Sequence, residues 1–277
     1  MISYMMQRIF FFAGYELQSF KKEKGHKKMN ITERQHKILE LLSMDSSLSI
    51  TSLSEELGVT KVTIRSDLNS MAETGLIVRT HGGGIPAFNP LILKRMRTNV
   101  EKKERIAKAA ASLIQDGDRI MLLSGTTCSL LVKYLLGKRN IHIVTNSSQI
   151  LQYARINPSL HVTLIGGEFR SESEAFVGNL ALKSLKLFHV KMTFIGSDGF
   201  SIEHGVTADL MENALIAQEM SKRAEKVILM TDSDKYDRAG FAQIMPIKKL
   251  HTIVIDKKIP KDAVTKLKKL NINVELV

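Results

Sequence analysis

From residue 119 onward the chain repeats one unit, a short apolar run followed by a stretch of helical spacing. The apolar runs are RIMLL (119–123), IHIVTN (141–146), VTLIGG (162–167), TFIGSD (193–198), KVILMTD (226–232) and TIVID (252–256). Helical stretches centre on 127–136, 148–155, 178–188 and 209–224, and a helix from Glu101 to Ile114 precedes the first run. Short runs of this kind that alternate with helices are joined through crossovers, so the sheet they form is largely parallel with helices on both faces. The expected fold for this part is α/β and doubly wound, with ligands binding beyond the carboxyl ends of its strands.

Composition narrows the setting. At 277 residues and 44% hydrophobic content the chain can fill one large core or two unequal ones. A single cysteine, Cys128, excludes an internal disulfide and a cysteine-based zinc site, which fits a reducing, cytoplasmic compartment. The eight histidines show no His-x-x-x-His pair, so neither a metal nor another cofactor is expected. The net charge of +12 divides as +4 over residues 1–28, −2 over 29–85, +5 over 86–110 and +5 over the rest. That distribution supports an anionic partner in general and equally a solubilising surface.

Residues 1–28 carry IFFFAGY followed by lysines. The apolar run is too short to span a bilayer, and its charges lie on the wrong side for a secretory signal. The stretch is expected to be a poorly ordered extension, with Met29 as the natural start. From Asn30 local signals agree. Thr32-x-x-Gln35 reads as a capping box, with Ile38, Leu39, Leu41 and Leu42 behind it. Ser52-x-x-Glu55 opens a second helix that Gly58 stops, and Thr60 caps a third whose Ile64, Leu68 and Met71 share one face until Gly75 ends it. Three short helices with the tight turn Gly58-Val59-Thr60 have the spacing of a helix-turn-helix. The opposite face of the third helix carries Lys61, Thr63, Arg65, Ser66 and Asn69, which can donate to phosphates and base edges in a major groove. An ordinary three-helix bundle with a solvated polar face has the same pattern.

RTHGGGIP (79–86) follows as a strand, a glycine turn and a return strand, a small wing. Without a Gly-x-Ser-x-Gly elbow the His-Gly-Gly-Gly run is no oxyanion hole, and Pro86 argues against a phosphate cradle. The glycines are read as giving the chain freedom to turn close to DNA, with Arg79 and His81 as backbone or minor-groove contacts. GVTKVTIRSDLNSMAETGLIVRTHGGG (58–84) closely resembles the signature of the DeoR family of bacterial transcriptional repressors. Arg65, Asp67, Arg79, His81, Gly82 and Gly83 match that pattern, while Ser66 replaces a second arginine and Gly84 an alanine. The expected organisation is a winged helix-turn-helix over 29–85, a linker over 86–104 containing Pro86, Pro90 and the basic run KRMR, and the α/β domain over 105–277.

SGTT, VTNS, IGGE, VGNLA, GSDG and TDSDK are similar to ordered blocks of the same family's sensor domain, so the resemblance covers about residues 30–257. It implies a fold related to ribose-5-phosphate isomerases and CoA transferases, and a phosphorylated sugar or related metabolite as inducer. Ser124, Gly125, Thr126 and Thr127 lie where a strand runs into a helix N-terminus, a position that favours an anion. By the resemblance they hold the phosphate, with Asn146, Glu168, Asp198 and Lys235 as hydroxyl-facing or structural residues. The pattern departs at Leu123, where the family has Asp, and at Ala217, where it has Lys. The leading expectation is a repressor that binds operator DNA as a dimer or higher homo-oligomer, touches no membrane and is not an enzyme. A sugar-phosphate isomerase or transferase with an accessory head is the alternative, which turnover of pentose or hexose phosphates would reveal. A repressor that has lost sensing is a third.

Overall fold

The computed structural model describes residues 33–277, which divide into two compact units, one ending at Lys94 and one beginning at Arg95. The extension over 1–28 and Thr32 of the first capping box lie outside the described residues. In the first unit α1 (Glu33–Met44), α2 (Ile50–Leu57) and α3 (Lys61–Glu73) enclose a core of Ile38, Leu39, Leu42, Leu53, Ile64, Leu68 and Met71. A two-stranded wing of β1 (Ile77–Arg79) and β2 (Gly84–Pro86) closes it, with Ile77 opposite Pro86. Thr60 caps α3 as its sequence indicates, its hydroxyl accepting from the Thr63 N–H at 3.2 Å. The cap of α2 differs from expectation. Ser49, not Ser52, is the N-cap, its hydroxyl accepting from the Ser52 N–H at 3.1 Å. Ile50, the first residue of the helix, is partly buried against the head core.

The stretch expected as a linker is largely helical. Pro90 opens α4 (Pro90–Arg97), where its missing N–H costs nothing, and the Asn89 side chain accepts from the Leu91 N–H at 3.0 Å. After it comes α5 (Val100–Ser112), close to the helix expected over 101–114.

The second unit contains a seven-stranded, wholly parallel sheet. Its strands are β3 (Arg119–Leu122), β4 (Ile141–Thr145), β5 (Leu160–Leu164), β8 (Val190–Ile195), β11 (Ala224–Met230), β13 (Thr252–Ile255) and β14 (Asn273–Leu276), in the order β14-β13-β11-β8-β3-β4-β5. Alternate residues of each central strand serve opposite faces. Ile120, Leu122, Ile143, Phe194 and Ile228 pack with α5 and with α6 (Thr126–Lys133). Met121, Val144, Ile195, Leu229 and Ile253 pack with α8 (Gly178–Leu185), α9 (Met211–Lys222) and α10 (Lys261–Lys269). Helix α7 (Ser148–Ala154) follows β4. Two small antiparallel additions complete the unit: the hairpin of β6 (Glu168–Arg170) and β7 (Ala175–Val177), and the sheet of β9 (Gly199–Ser201), β10 (Gly205–Ala208) and β12 (Ala242–Met245).

Candidate nucleic-acid interface and effector pocket

The apolar stripe of α3 turns Ile64, Leu68 and Met71 inward, which leaves Lys61, Arg65, Ser66 and Asn69 exposed on the other side. Thr63 is only partly exposed, and its hydroxyl lies 2.9 Å from that of Thr60, so it serves the cap. Asp67 points inward. Its carboxylate takes two hydrogen bonds from the Arg34 guanidinium, at 2.5 and 3.1 Å, which ties α3 to α1 and raises the affinity of Arg34 for its proton. Sequence reasoning missed Val62, 71% exposed in the first turn of α3 and able to meet a thymine methyl. Its signal was an apolar residue out of phase with the buried stripe.

The wing is docked more tightly than its glycines suggested. None of Gly82, Gly83 and Gly84 has a positive φ, so left-handed freedom is not why glycine stands there. A Cβ on Gly83 would come within 2.7 Å of the Leu48 carbonyl oxygen, and the Gly82 carbonyl accepts from the Ile50 N–H at 2.8 Å. The turn therefore lies against the start of α2. Arg79 bends back onto it, donating to the Gly83 carbonyl at 2.8 Å, whereas His81 is exposed at the tip.

In the second unit the candidate effector residues follow the carboxyl ends of the strands. Gly125, at φ +142°, turns the chain from β3 into α6, and no side chain caps that helix. Asn146, at the end of β4, is fully buried. Its oxygen accepts from the Ser124 N–H at 2.9 Å, and its amide donates to the Phe176 carbonyl at 3.1 Å. Its polar atoms hold the SGTT turn in place. Asp198 follows β8, with its carboxylate 3.3 Å from the Arg95 guanidinium and accepting from the Asp209 N–H at 2.9 Å. Burial and the Asp198 charge hold Asp209 above the usual carboxylate range. Lys235 donates to the Ser197 carbonyl at 2.5 Å. Glu168 is exposed on β6 and paired with Arg170 at 3.4 Å.

Lys103 was missed. It sits on α5 with only 6% of its surface exposed, and its ammonium donates to the Arg95 carbonyl. Burial, then repulsion from Lys235, pushes it down to about 8 against the pull of Asp232, with Arg95 adding to the repulsion. Lys235 acts also on Cys128 in the first turn of α6, whose thiol burial pushes up to about 12. Two ammonium groups and the open N-terminus of α6 thus share one region, which can neutralise a dianion. The signal for Lys103 was present: it continues the inward stripe Ile106, Ala107, Ala110 by one helical step. Leu123 and Ala217 are both buried in the apolar cluster under α8 and α9.

Two family models match the chain. One, described as the DeoR-like helix-turn-helix domain, covers residues 34–85, and the other, the DeoR C terminal sensor domain, covers 98–257. The chain belongs to the DeoR family. A protein whose name assigns it to repression of the aga operon in Escherichia coli O157:H7 is 31% identical over 91% of this chain and 97% of its own length. The lactose phosphotransferase system repressor of Lactococcus lactis subsp. lactis is 32% identical (83% and 93% covered), and the repressor GlcR of Bacillus subtilis 30% (81% and 88%). Solved structures that resemble the chain include ribose 5-phosphate isomerase A of Neisseria gonorrhoeae, 16% identical with a TM-score of 0.37 over 50% of this chain and 54% of that one. Translation initiation factor eIF-2B of Pyrococcus horikoshii OT3 is 14% identical with a TM-score of 0.40 over 91% and 94%. Likeness this loose carries no argument. Among the described residues no helix is long and apolar enough to cross a membrane.

Proposed function

We propose that this DeoR-family regulator represses a carbohydrate-metabolism operon and leaves its operator when a phosphorylated sugar binds the sensor unit. The names of its relatives, two of which refer to repression of the aga operon and of a lactose phosphotransferase system, support the pathway class. The observation that carries the ligand class is the pairing of Lys103 and Lys235 beside the uncapped start of α6. In this reading Ser124, Gly125, Thr126 and Thr127 present N–H and hydroxyl donors to the phosphate, and the two lysines neutralise it. Asn146 positions the turn, Asp198 accepts from sugar hydroxyls, and Glu168 has no direct part.

On the DNA side α3 lies in the major groove, with Lys61, Arg65, Ser66 and Asn69 as donors and Val62 as an apolar contact. His81 reaches the backbone from the wing tip, and Arg79 shapes the wing. One head makes few phosphate contacts, so the protein acts as a dimer or larger assembly of identical chains. Selection from random-sequence DNA tests this, and a two-fold symmetric duplex with half-sites about one helical turn or a multiple apart is expected. Recovery of single, unpaired half-sites would remove the pairing. Titrating the bound duplex with sugar phosphates, with anisotropy as readout, tests release.

A further inference from the structure

Helix α4 is covalently shared: it opens at Pro90 in the head and ends at Arg97, three residues past the boundary at Lys94. Its last turn is held to the sensor unit at three points. The Arg95 guanidinium pairs with Asp198 at 3.3 Å, the Arg95 carbonyl accepts from Lys103, and the Met96 sulfur accepts weakly from the Gln149 amide at 3.6 Å. Met96 and Gln149 also line a small cavity with Thr126 and Ser129, in and after the first turn of α6. Each of these fastenings uses a group at or next to the proposed effector site.

We propose that Arg95 and the effector compete for Asp198 and Lys103, so that occupancy of the pocket unfastens the last turn of α4. The inference rests on the sugar-phosphate reading. The Lys103 ammonium exchanges a neutral carbonyl for a dianionic phosphate, a stronger partner. The Asp198 carboxylate exchanges a half-exposed arginine for hydroxyl donors of the sugar. The ligand thus has a built-in preference for the unfastened state, as any shift of an equilibrium requires. Linkage makes the effect reciprocal: operator binding that favours the fastened helix weakens effector binding by the same factor. Arg95 is a positioning residue, a stand-in for the ligand at Asp198.

The test uses the full chain, a duplex recovered by selection, and glucose 6-phosphate, galactose 6-phosphate and ribose 5-phosphate, with inorganic phosphate as the anion alone. Thermal shift identifies the sugar phosphate that binds, and its Kd and its effect on operator affinity are then measured. For the wild-type chain that compound should weaken operator binding about tenfold or more. Arg95→Ala should bind it several-fold more tightly, yet lose most of its effect on operator affinity. Asp198→Asn, which breaks the pair from the other side, should bind it more weakly and lose the coupling as well. Wild-type Kd and full coupling in Arg95→Ala would overturn the inference and leave the sensing function intact. If no sugar phosphate bound the wild-type chain, both would fall.

Discussion

On α3 the candidate functional side chains point away from the protein, whereas at the sheet's carboxyl end they are partners of one another. Lys61, Arg65, Ser66 and Asn69 take their direction from one helix and its buried stripe. Lys103, Asn146, Asp198, Lys235 and Arg95 come from five separate segments, which meet because β3 lies between β8 and β4 in the sheet. Desolvation follows the same division. The α3 donors are exposed, but Lys103 is buried deeply enough to bind its proton only up to about pH 8. A surface reader can be changed one residue at a time. A buried pocket answers as a group.

The largest effect should come from Lys103→Met. It removes a charge-assisted contact to phosphate, so sugar-phosphate affinity should fall about a hundredfold by isothermal titration. The melting temperature should hold or rise, because a buried ammonium is replaced by an apolar chain of similar length. A fall in stability with ligand binding intact would make Lys103 structural and erase the contrast with α3. Arg65→Ala is next. Specific operator affinity should fall about ten- to hundredfold with the unfolding transition unmoved.

The wing offers a sharper pair. Gly83→Ala meets the Leu48 carbonyl at 2.7 Å, while Gly82→Ala meets nothing within 4 Å. The first should destabilise the head by about 1–3 kcal/mol and the second leave it unchanged in denaturant titration. Equal effects would mean that the wing is not docked on the turn before α2.

The smallest effect is one of pH. Because Lys103 lies at about 8 in place of 10.5, the free protein loses that charge as pH rises through 8, and a bound phosphate must then restore the proton. Affinity should be flat in Lys103 below about pH 7 and fall about tenfold between pH 7 and 9, with proton uptake on binding; Lys103→Met should remove the slope. Stability runs the other way. The unfolded chain holds the lysine proton more tightly, so the cost of burying it is full below about pH 8 and fades towards 10.5.

Much was legible because it is local. Gly58 and Thr60 mark the turn before α3, and the six apolar runs from RIMLL to TIVID are all strands of the parallel sheet. Other elements were not. Helix α10 buries only Ala263 and Leu267 behind four lysines, and β14 is a four-residue edge strand, so neither carries a strong periodic signal. Ser49 and Ser52 are both residue types that cap helices, and only the structure shows that the Ser49 hydroxyl takes the role by accepting from the Ser52 N–H. That Arg79 also donates to the Gly83 carbonyl is seen only in the structure.

RTHGGGIP and SGTT divide along the same line. The sequence alone determined that the first is a wing tip behind a recognition helix and the second a strand-to-helix turn, because caps, glycines and apolar periodicity act over a few residues. Only tertiary structure decided that a side chain on Gly83 would meet the Leu48 carbonyl, and that Lys103, from a stretch read as linker, is buried near Lys235. Those outcomes depend on distances between segments far apart in the chain, and desolvation and charge repulsion exist only once the core has closed around them.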